Sequence, residues 1–478
     1  MNGIGAKIGS GAAWSLVNLL LSRGASIVFT LLLTKLLAPE AFGVIAMMSV
    51  FFELANMVVN SGFQQALLRS SSVSEIDLST TFITNIILSA LAYLGLFLLA
   101  PVAAAFYEQP AMTDLIRVAG IVLFINSLII VQDTLLRRQM RFRAIMYATV
   151  TGTLASGVLA LVLAYSGFGV WSLVIQMITV RLFVGAIIWH QGKWRPIWEF
   201  STTSFWHMFR FGYKLLLEST IDVLYRNSFF MVIGKLFSAE LVGLYFLASR
   251  INDLVVPQIS GAVSQASFPA LSTIQDKPDD LREMYRRMVS ITMFVVAPLI
   301  AGMAVLSPLI FDVLLDPRWQ QSAILLQLFS FTGLFYPLHL MNNNILSIKG
   351  RSDLVLWIGI LKKSVNIVVL ILSIPYGIYG ILIGQILVSI LALGPNTYYS
   401  AKLIGYGLTT QLSDILRSVT AASFSGLLVM IFISATPEGP VTLLILGSIL
   451  GIISYFLAAR IICREDFIAV KQYIIDNT

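Results

Sequence analysis

Lys35-Leu36-Leu37-Ala38-Pro39-Glu40-Ala41-Phe42-Gly43 opens a segment, 35–72, that the chain repeats without a gap at 235–272. Lys35/Lys235, Leu36/Leu236, Glu40/Glu240, Gly43/Gly243, Ser49/Ser249, Leu54/Leu254, Gln65/Gln265, Ala66/Ala266 and Ser72/Ser272 are identical. These are nine matches in thirty-eight positions, where so apolar a composition gives roughly three or four by chance. Acid also meets acid at Glu53/Asp253. Each copy reads as a short charged turn, a long apolar run with a carboxylate inside it, and a polar loop. Two unrelated helices of like composition are the plainer explanation, but the register holds across a loop as well as a helix. Internal symmetry in a membrane chain implies a transporter built from two halves.

Composition sets the class. Of 478 residues 58% are hydrophobic and 12% charged, against about 25% charged in a soluble domain; the mean hydropathy is +0.87. This is an all-α polytopic membrane protein with no sizeable soluble domain. One cysteine, Cys463, excludes a disulfide framework or a cysteine metal site. The first apolar run is too long for a cleaved signal and carries Arg23 in its middle.

Apolar runs of membrane-spanning length fall near 12–37, 41–61, 79–105, 112–134, 144–166, 168–189, 209–234, 240–262, 288–311, 322–346, 354–374, 377–398, 415–435 and 440–462, which makes fourteen. Pro39, Pro101, Pro110, Pro196, Pro317, Pro437 and several glycines separate them. The runs at 144–189 form a hairpin if Gly167-Phe168-Gly169 is a tight turn. With a cytoplasmic N-terminus, twenty basic loop residues fall inside and only Lys35, Lys235 and Arg318 outside. Both termini are then cytoplasmic. That bias explains the net charge of +7 through orientation and anionic lipid, with no nucleic acid.

Six runs separate the first from the seventh, so the repeats are parallel. The expected lobes are 1–190 and 209–402. A cytoplasmic linker, 191–208, joins them, with Trp194, Trp198 and Trp206 as interface anchors. The region 403–478 adds two further helices and a tail. Gln275 to Arg287 reads as a charged, partly helical loop.

Charge inside the apolar runs is the functional signal, because each such residue costs about 2.5–3.5 kcal/mol at a helix centre on insertion scales. Arg23 and Glu53 sit in the first two runs, Lys214, Glu218, Asp222 and Arg226 step by four along the seventh, and Arg250 and Asp253 sit in the eighth. Asn56, Asn60, Ser249 and Asn252 add polar groups. Two readings stand. The charges pair internally and fix packing, as Lys214 with Glu218, Asp222 with Arg226 and Arg250 with Asp253. Or they line a water-filled cavity where Arg23, Arg226 and Arg250 grip an anionic substrate, guanidinium being a bidentate phosphate ligand. Arg23 has no carboxylate within four residues and is the leading candidate. Arg181, Lys362 and Lys363 lie apart and mark a second site, an ion path or pairing with neighbouring helices.

No nucleophile elbow, Walker A loop, zinc helix or dinucleotide fingerprint is present. His190, His207 and His339 are scattered. No cofactor or metal is implied, and transport would draw on an ion gradient, the membrane potential or the substrate gradient.

Gly11-Ala12-Ala13-Trp14-Ser15, Leu36-Leu37-Ala38-Pro39-Glu40-Ala41-Phe42-Gly43, Ser267-Phe268-Pro269-Ala270-Leu271 and Trp319 with Leu325-Leu326-Gln327-Leu328 together resemble the polysaccharide-transporter branch of the multidrug/oligosaccharidyl-lipid/polysaccharide exporter superfamily. The similarity is greatest to Wzx exporters of colanic-acid type and covers nearly the whole chain. The resemblance implies two six-helix lobes around a cavity lined by the first, second, seventh and eighth helices. It implies a substrate, an undecaprenyl-pyrophosphate-linked oligosaccharide repeat unit, flipped across the bacterial cytoplasmic membrane. It also implies that 415–435 and 440–462 shape a groove for the lipid tail. A polysaccharide polymerase and a chain-length regulator are candidate partners besides membrane lipids. The alternative is a cation-coupled multidrug antiporter, with Glu53, Asp222 and Asp253 holding the ion. A glycan-pathway membrane enzyme fits poorly, because the outer loops are short.

Overall fold

The computed structural model describes residues 2–60, 62–70, 72–465, 467 and 468. Side chains at 2–13, 15, 16, 19, 20, 214, 215, 217 and 218 lie outside the description. Among the described residues there is helix and turn but no strand. The chain forms two compact units, Met1–Gly243 and Leu244–Thr478.

The first unit holds α1 (Asn2–Leu36), α2 (Pro39–Asn60), α3 (Phe63–Arg69), α4 (Glu75–Phe106), α5 (Met112–Ala119), α6 (Ile121–Arg138), α7 (Phe142–Tyr165), α8 (Val170–Gln191) and α9 (Thr202–Leu236). α10 (Ala239–Thr273) carries the chain over the unit boundary. The second unit holds α11 (Pro278–Leu314), α12 (Gln320–Leu334), α13 (Tyr336–Ile348), α14 (Ser352–Ser373), α15 (Gly377–Leu391), α16 (Leu393–Ile404), α17 (Leu408–Ala435) and α18 (Pro440–Ile462).

Each of the fourteen apolar runs lies on a helix or a helix pair. The run at 112–134 is α5 and α6, interrupted at Gly120, where the ring of Tyr93 packs against the backbone. The run at 322–346 is α12 and α13, interrupted just before Pro337. The run at 377–398 is α15 and α16, interrupted just before Pro395. Each proline removes a helical donor and crowds the preceding residue. Among the described residues ten helical segments are long and apolar enough to span a membrane, one of them, Ser352–Ile404, covering two predicted runs. α1, α9 and α10 fall outside that set. These are helices whose interiors carry charge, at Arg23, along Glu218 to Arg226, and at Arg250 and Asp253.

Local chemistry explains the ends. Ser74 caps α4, its hydroxyl accepting from Asp77 N–H at 3.1 Å while the Asp77 carboxylate accepts from Ser74 N–H at 2.9 Å. Gly167 (φ 85°) and Gly169 (φ 55°) make the expected tight turn, and α7 and α8 pack along each other. The charged segment at 275–287, expected to be partly helical, is helix from Pro278 onward. Pro278 opens α11, with Asp279 and Asp280 in the first turn, where carboxylates meet the positive end of the helix dipole.

One expected interface anchor is corrected. Trp194 is buried beside Phe63, Leu67 and Phe82, its carbonyl accepting from the Gln132 amide at 2.7 Å. The extended segment 192–201 is tied to α4, Ile197 N–H donating to Ser79 Oγ and Ser201 N–H to Thr80 Oγ1. This tether draws Trp194 inward and leaves Trp198 and Trp206 exposed.

In the second unit a buried polar network holds the helix ends. Arg286 of α11 donates two hydrogen bonds to Asp414 of α17, at 2.7 and 2.6 Å, and Tyr406 Oη donates to the same carboxylate at 2.9 Å. Burial, with Asp414 beside it, raises the Tyr406 hydroxyl well above the usual tyrosine range. His339 accepts at Nδ1 from Asn396 and donates from Nε2 to the Ser389 carbonyl, joining α13 to α15 and α16. α17 and α18 form an antiparallel pair packed on α11, with Tyr455 Oη donating to Phe294 O at 2.6 Å.

Candidate functional site: a polar cleft between α2, α3 and α9

Glu53 and Asn56 are three residues apart and share a face of α2. α9 runs against α2, and α3 also packs on α9. Between them lies a cleft of about 310 Å³ whose lining includes Glu53, Asn56, Asn60, Gln65, Ser219 and Arg226. α3 exists because the chain turns at Gly62, with φ of 74°. A side chain there would also strike the backbone of Gly212. Only glycine satisfies both conditions, and the turn brings Gln65 round to the cleft.

Among the described residues of the cleft the opposite charges pair with each other. Arg226 Nη2 donates to Glu53 Oε2 at 3.2 Å, and Asn227 Nδ2 donates to the same oxygen at 2.8 Å. Arg226 is 69% and Glu53 43% exposed at the side chain, so the pair faces the open part of the cleft. Asn126 of α6 donates to Asn56 Oδ1 at 2.8 Å, while Asn56 donates to the Phe52 carbonyl at 3.0 Å. Among the described residues Asn60 and Gln65 make no hydrogen bond, and both are exposed.

The remaining candidates are dispersed. Arg23 on α1 and Arg250 on α10 are exposed and have no ion-pair partner among the described residues; neither lines the cleft. Asp222 on α9 and Asp253 on α10 are exposed, and each has a partner. The side chains of Glu218 and Lys214 lie outside the described residues. Pro257 deprives the Asp253 carbonyl of its helical donor, and Gln258 Nε2 approaches it at 3.4 Å. Asn252 Oδ1 is buried with no hydrogen bond among the described residues and lies close to Gly333. Arg181 on α8 sits in the field of Asp133, which accepts from Gln64 at 3.1 Å and Arg137 at 2.6 Å. Lys362 borders a recess of about 90 Å³ with Val365, Val388 and Leu391, and Lys363 has a partner. Among the described residues no group of three or more His, Cys, Asp or Glu could hold a metal.

Asn126 and Asn227 escaped the sequence reading. Asn126 is an amide inside an apolar run, a signal that charge alone hides. Asn227 is next to Arg226 and off the four-residue stripe.

Residues 32–324 match a family model described as polysaccharide biosynthesis protein. The teichuronic acid biosynthesis protein TuaB of Bacillus subtilis is 25% identical over 357 residues, 74% of this chain and 74% of its own. The lipopolysaccharide biosynthesis protein WzxC of Escherichia coli is 23% identical over 389 residues, 80% of this chain and 78% of its own. Among solved structures, the lipid II flippase MurJ in an inward closed conformation has a TM-score of 0.76 at 12% identity, covering 95% of this chain and 99% of its own. An inward-facing multidrug resistance transporter of the MATE family and MOP superfamily has a TM-score of 0.60 at 14% identity, covering 80% of this chain and 95% of its own. By that family match, extending over more than half of its residues, the chain is a multi-pass membrane protein belonging to the polysaccharide biosynthesis protein family.

Proposed function

We propose that the chain is a flippase of the bacterial cytoplasmic membrane. It carries an undecaprenyl-pyrophosphate-linked oligosaccharide repeat unit from the inner to the outer leaflet for surface polysaccharide synthesis, by alternating access. The observation that carries this reading is a polar, ion-paired cleft walled by helices that share the architecture of a lipid flippase over 95% of the chain. An open polar cleft within a helix bundle suits a hydrophilic head, while the polyprenyl tail stays in lipid. Arg23, in the first unit, is the proposed diphosphate ligand, since no carboxylate among the described residues holds it. The multidrug antiporter reading draws on the MATE-like fold, which covers 80% of the chain. Relatives named for amylovoran biosynthesis and succinoglycan transport favour the glycan reading.

The test is deletion in the native host, measuring surface polysaccharide and undecaprenyl-linked oligosaccharide together. Loss of polymer with complete repeat units accumulating on the inner face supports the flippase. Normal polymer with raised sensitivity to cationic dyes supports the antiporter. Lost polymer with repeat units already outside makes the protein act after translocation, as a polymerase would.

A further inference from the structure

Arg226 is the cationic group of the α2–α3–α9 cleft and Glu53 its carboxylate, and the two are joined at 3.2 Å. The described lining residues therefore carry no net formal charge. A diphosphate buried against it would face Glu53 as well as Arg226, and displacing Glu53 would leave that carboxylate without its cation. What the cleft offers in quantity is amide. Asn60 and Gln65 are exposed and unbonded among the described residues, and Asn56 is fixed by Asn126 at 2.8 Å. Each primary amide presents donors and an acceptor within one group, which matches neighbouring hydroxyls on a ring. Met57, Leu216 and Val223 provide apolar surface beside them, which matches the C–H face of the same ring. The volume, about 310 Å³, lies at the lower end of small-ligand sites, about 300–1,000 Å³. It accommodates a ring-sized group and not a whole repeat unit.

We infer that this cleft is a sugar subsite, in which the Asn60 and Gln65 amides hydrogen-bond the hydroxyls of one uncharged sugar residue of the cargo, while the diphosphate is held elsewhere. The inference rests on the flippase reading. Asn56, Asn126 and the Glu53–Arg226–Asn227 cluster are positioning residues that keep the walls apart and the amides turned to the opening. Specificity then resides in hydrogen bonds that a sugar-free lipid cannot make, which leaves these amides solvated when no sugar is present.

The experiment uses the purified full chain in nanodiscs with two probes. One is undecaprenyl pyrophosphate. The other is undecaprenyl-pyrophosphate-linked oligosaccharide extracted from the native host. The wild type should bind the sugar-bearing lipid about tenfold more tightly, as expected for two hydrogen bonds of about 0.5–1.5 kcal/mol each. The double variant Asn60→Ala, Gln65→Ala breaks no hydrogen bond among the described residues and should keep the melting temperature. It should bind both lipids with the affinity the wild type shows for undecaprenyl pyrophosphate. Retained sugar preference in the variant overturns the subsite, and so does equal weakening of both lipids. Equal binding of both lipids by the wild type also overturns it. A wild type that binds neither lipid overturns the flippase reading itself, a result separable from loss of the preference alone.

Discussion

The two copies of the repeat begin alike and end differently. α1 and α9 stop at Leu36 and Leu236, and α2 and α10 start at Pro39 and Ala239, each pair two hundred positions apart. At these starts the contact is reciprocal. A side chain on Gly43 would meet the carbonyl of Ala239, and one on Gly243 the carbonyl of Pro39. Identity at this glycine is what lets the two helix starts approach backbone to backbone. Downstream, the first copy turns at Gly62 and forms α3, whereas the second has Ala262 there and runs on as one helix to Thr273. Alanine does not readily take a φ of 74°, so a one-residue difference decides whether a copy bends into a cleft. The shared part of a repeat fixes its frame, and the departure from it builds the site.

Gly62→Val tests this difference most severely. The new side chain meets both a left-handed backbone and Gly212, so folded protein and polysaccharide export should both be lost in a complementation assay. Ala262→Gly should do no more than weaken a helix interior by about 1 kcal/mol, seen as a small drop in melting temperature. Next come Gly43→Ala and Gly243→Ala. Because their contacts are reciprocal, the two should lower the melting temperature by similar amounts. Gly95→Ala, with nothing within 4 Å of its new methyl group, should raise stability by about 0.5–1 kcal/mol. Unequal losses at Gly43 and Gly243 would refute the symmetry of the contact. A smaller effect is expected from the ion pair. A double-mutant cycle of Glu53→Gln and Arg226→Gln should give a coupling of about 0.2–1 kcal/mol, because both side chains are exposed. The smallest is at Asp316, whose carboxyl Arg318 holds below the usual range through its side-chain hydrogen bond. A folded pKa below the unfolded one stabilises at neutral pH, and that contribution disappears as pH falls through the folded value. Asp316→Asn should therefore leave the melting temperature less sensitive to pH between 7 and 3, as read by thermal scans at both.

Much of the fold was legible because apolar length and proline placement are strong signals. The fourteen runs, the tight turn at 167–169 and the helix starts after Leu36 and Leu236 follow from them. Charged residues inside apolar runs pointed to α2 and α9, and Glu53, Asn56 and Arg226 do share a cleft. The pairing itself was not legible. A step of four suggested Arg226 with Asp222, yet Arg226 donates to Glu53, 173 positions away. Sequence spacing reports neighbours on one helix face and is blind to which helix packs across from it. Gly62 was hidden for a related reason. A glycine after an apolar run reads as a helix stop, and its close approach to Gly212 depends on packing alone. Trp194 shows the converse, since a tryptophan beside basic residues reads as an interface anchor until the 192–201 segment is seen tied across α4.

On the proposed reading, this chain moves a lipid-linked glycan across a bilayer. The direct measurement is reconstitution of the purified protein into liposomes with undecaprenyl-pyrophosphate-linked oligosaccharide extracted from the native host, scoring the sugar accessible to a membrane-impermeant glycosidase over time. Protein-dependent transfer between leaflets is expected, reduced about tenfold or more by Arg23→Ala at unchanged melting temperature, a lost charge-assisted hydrogen bond being worth about 1.5–3 kcal/mol. Sugar accessibility no greater than in protein-free liposomes would contradict it.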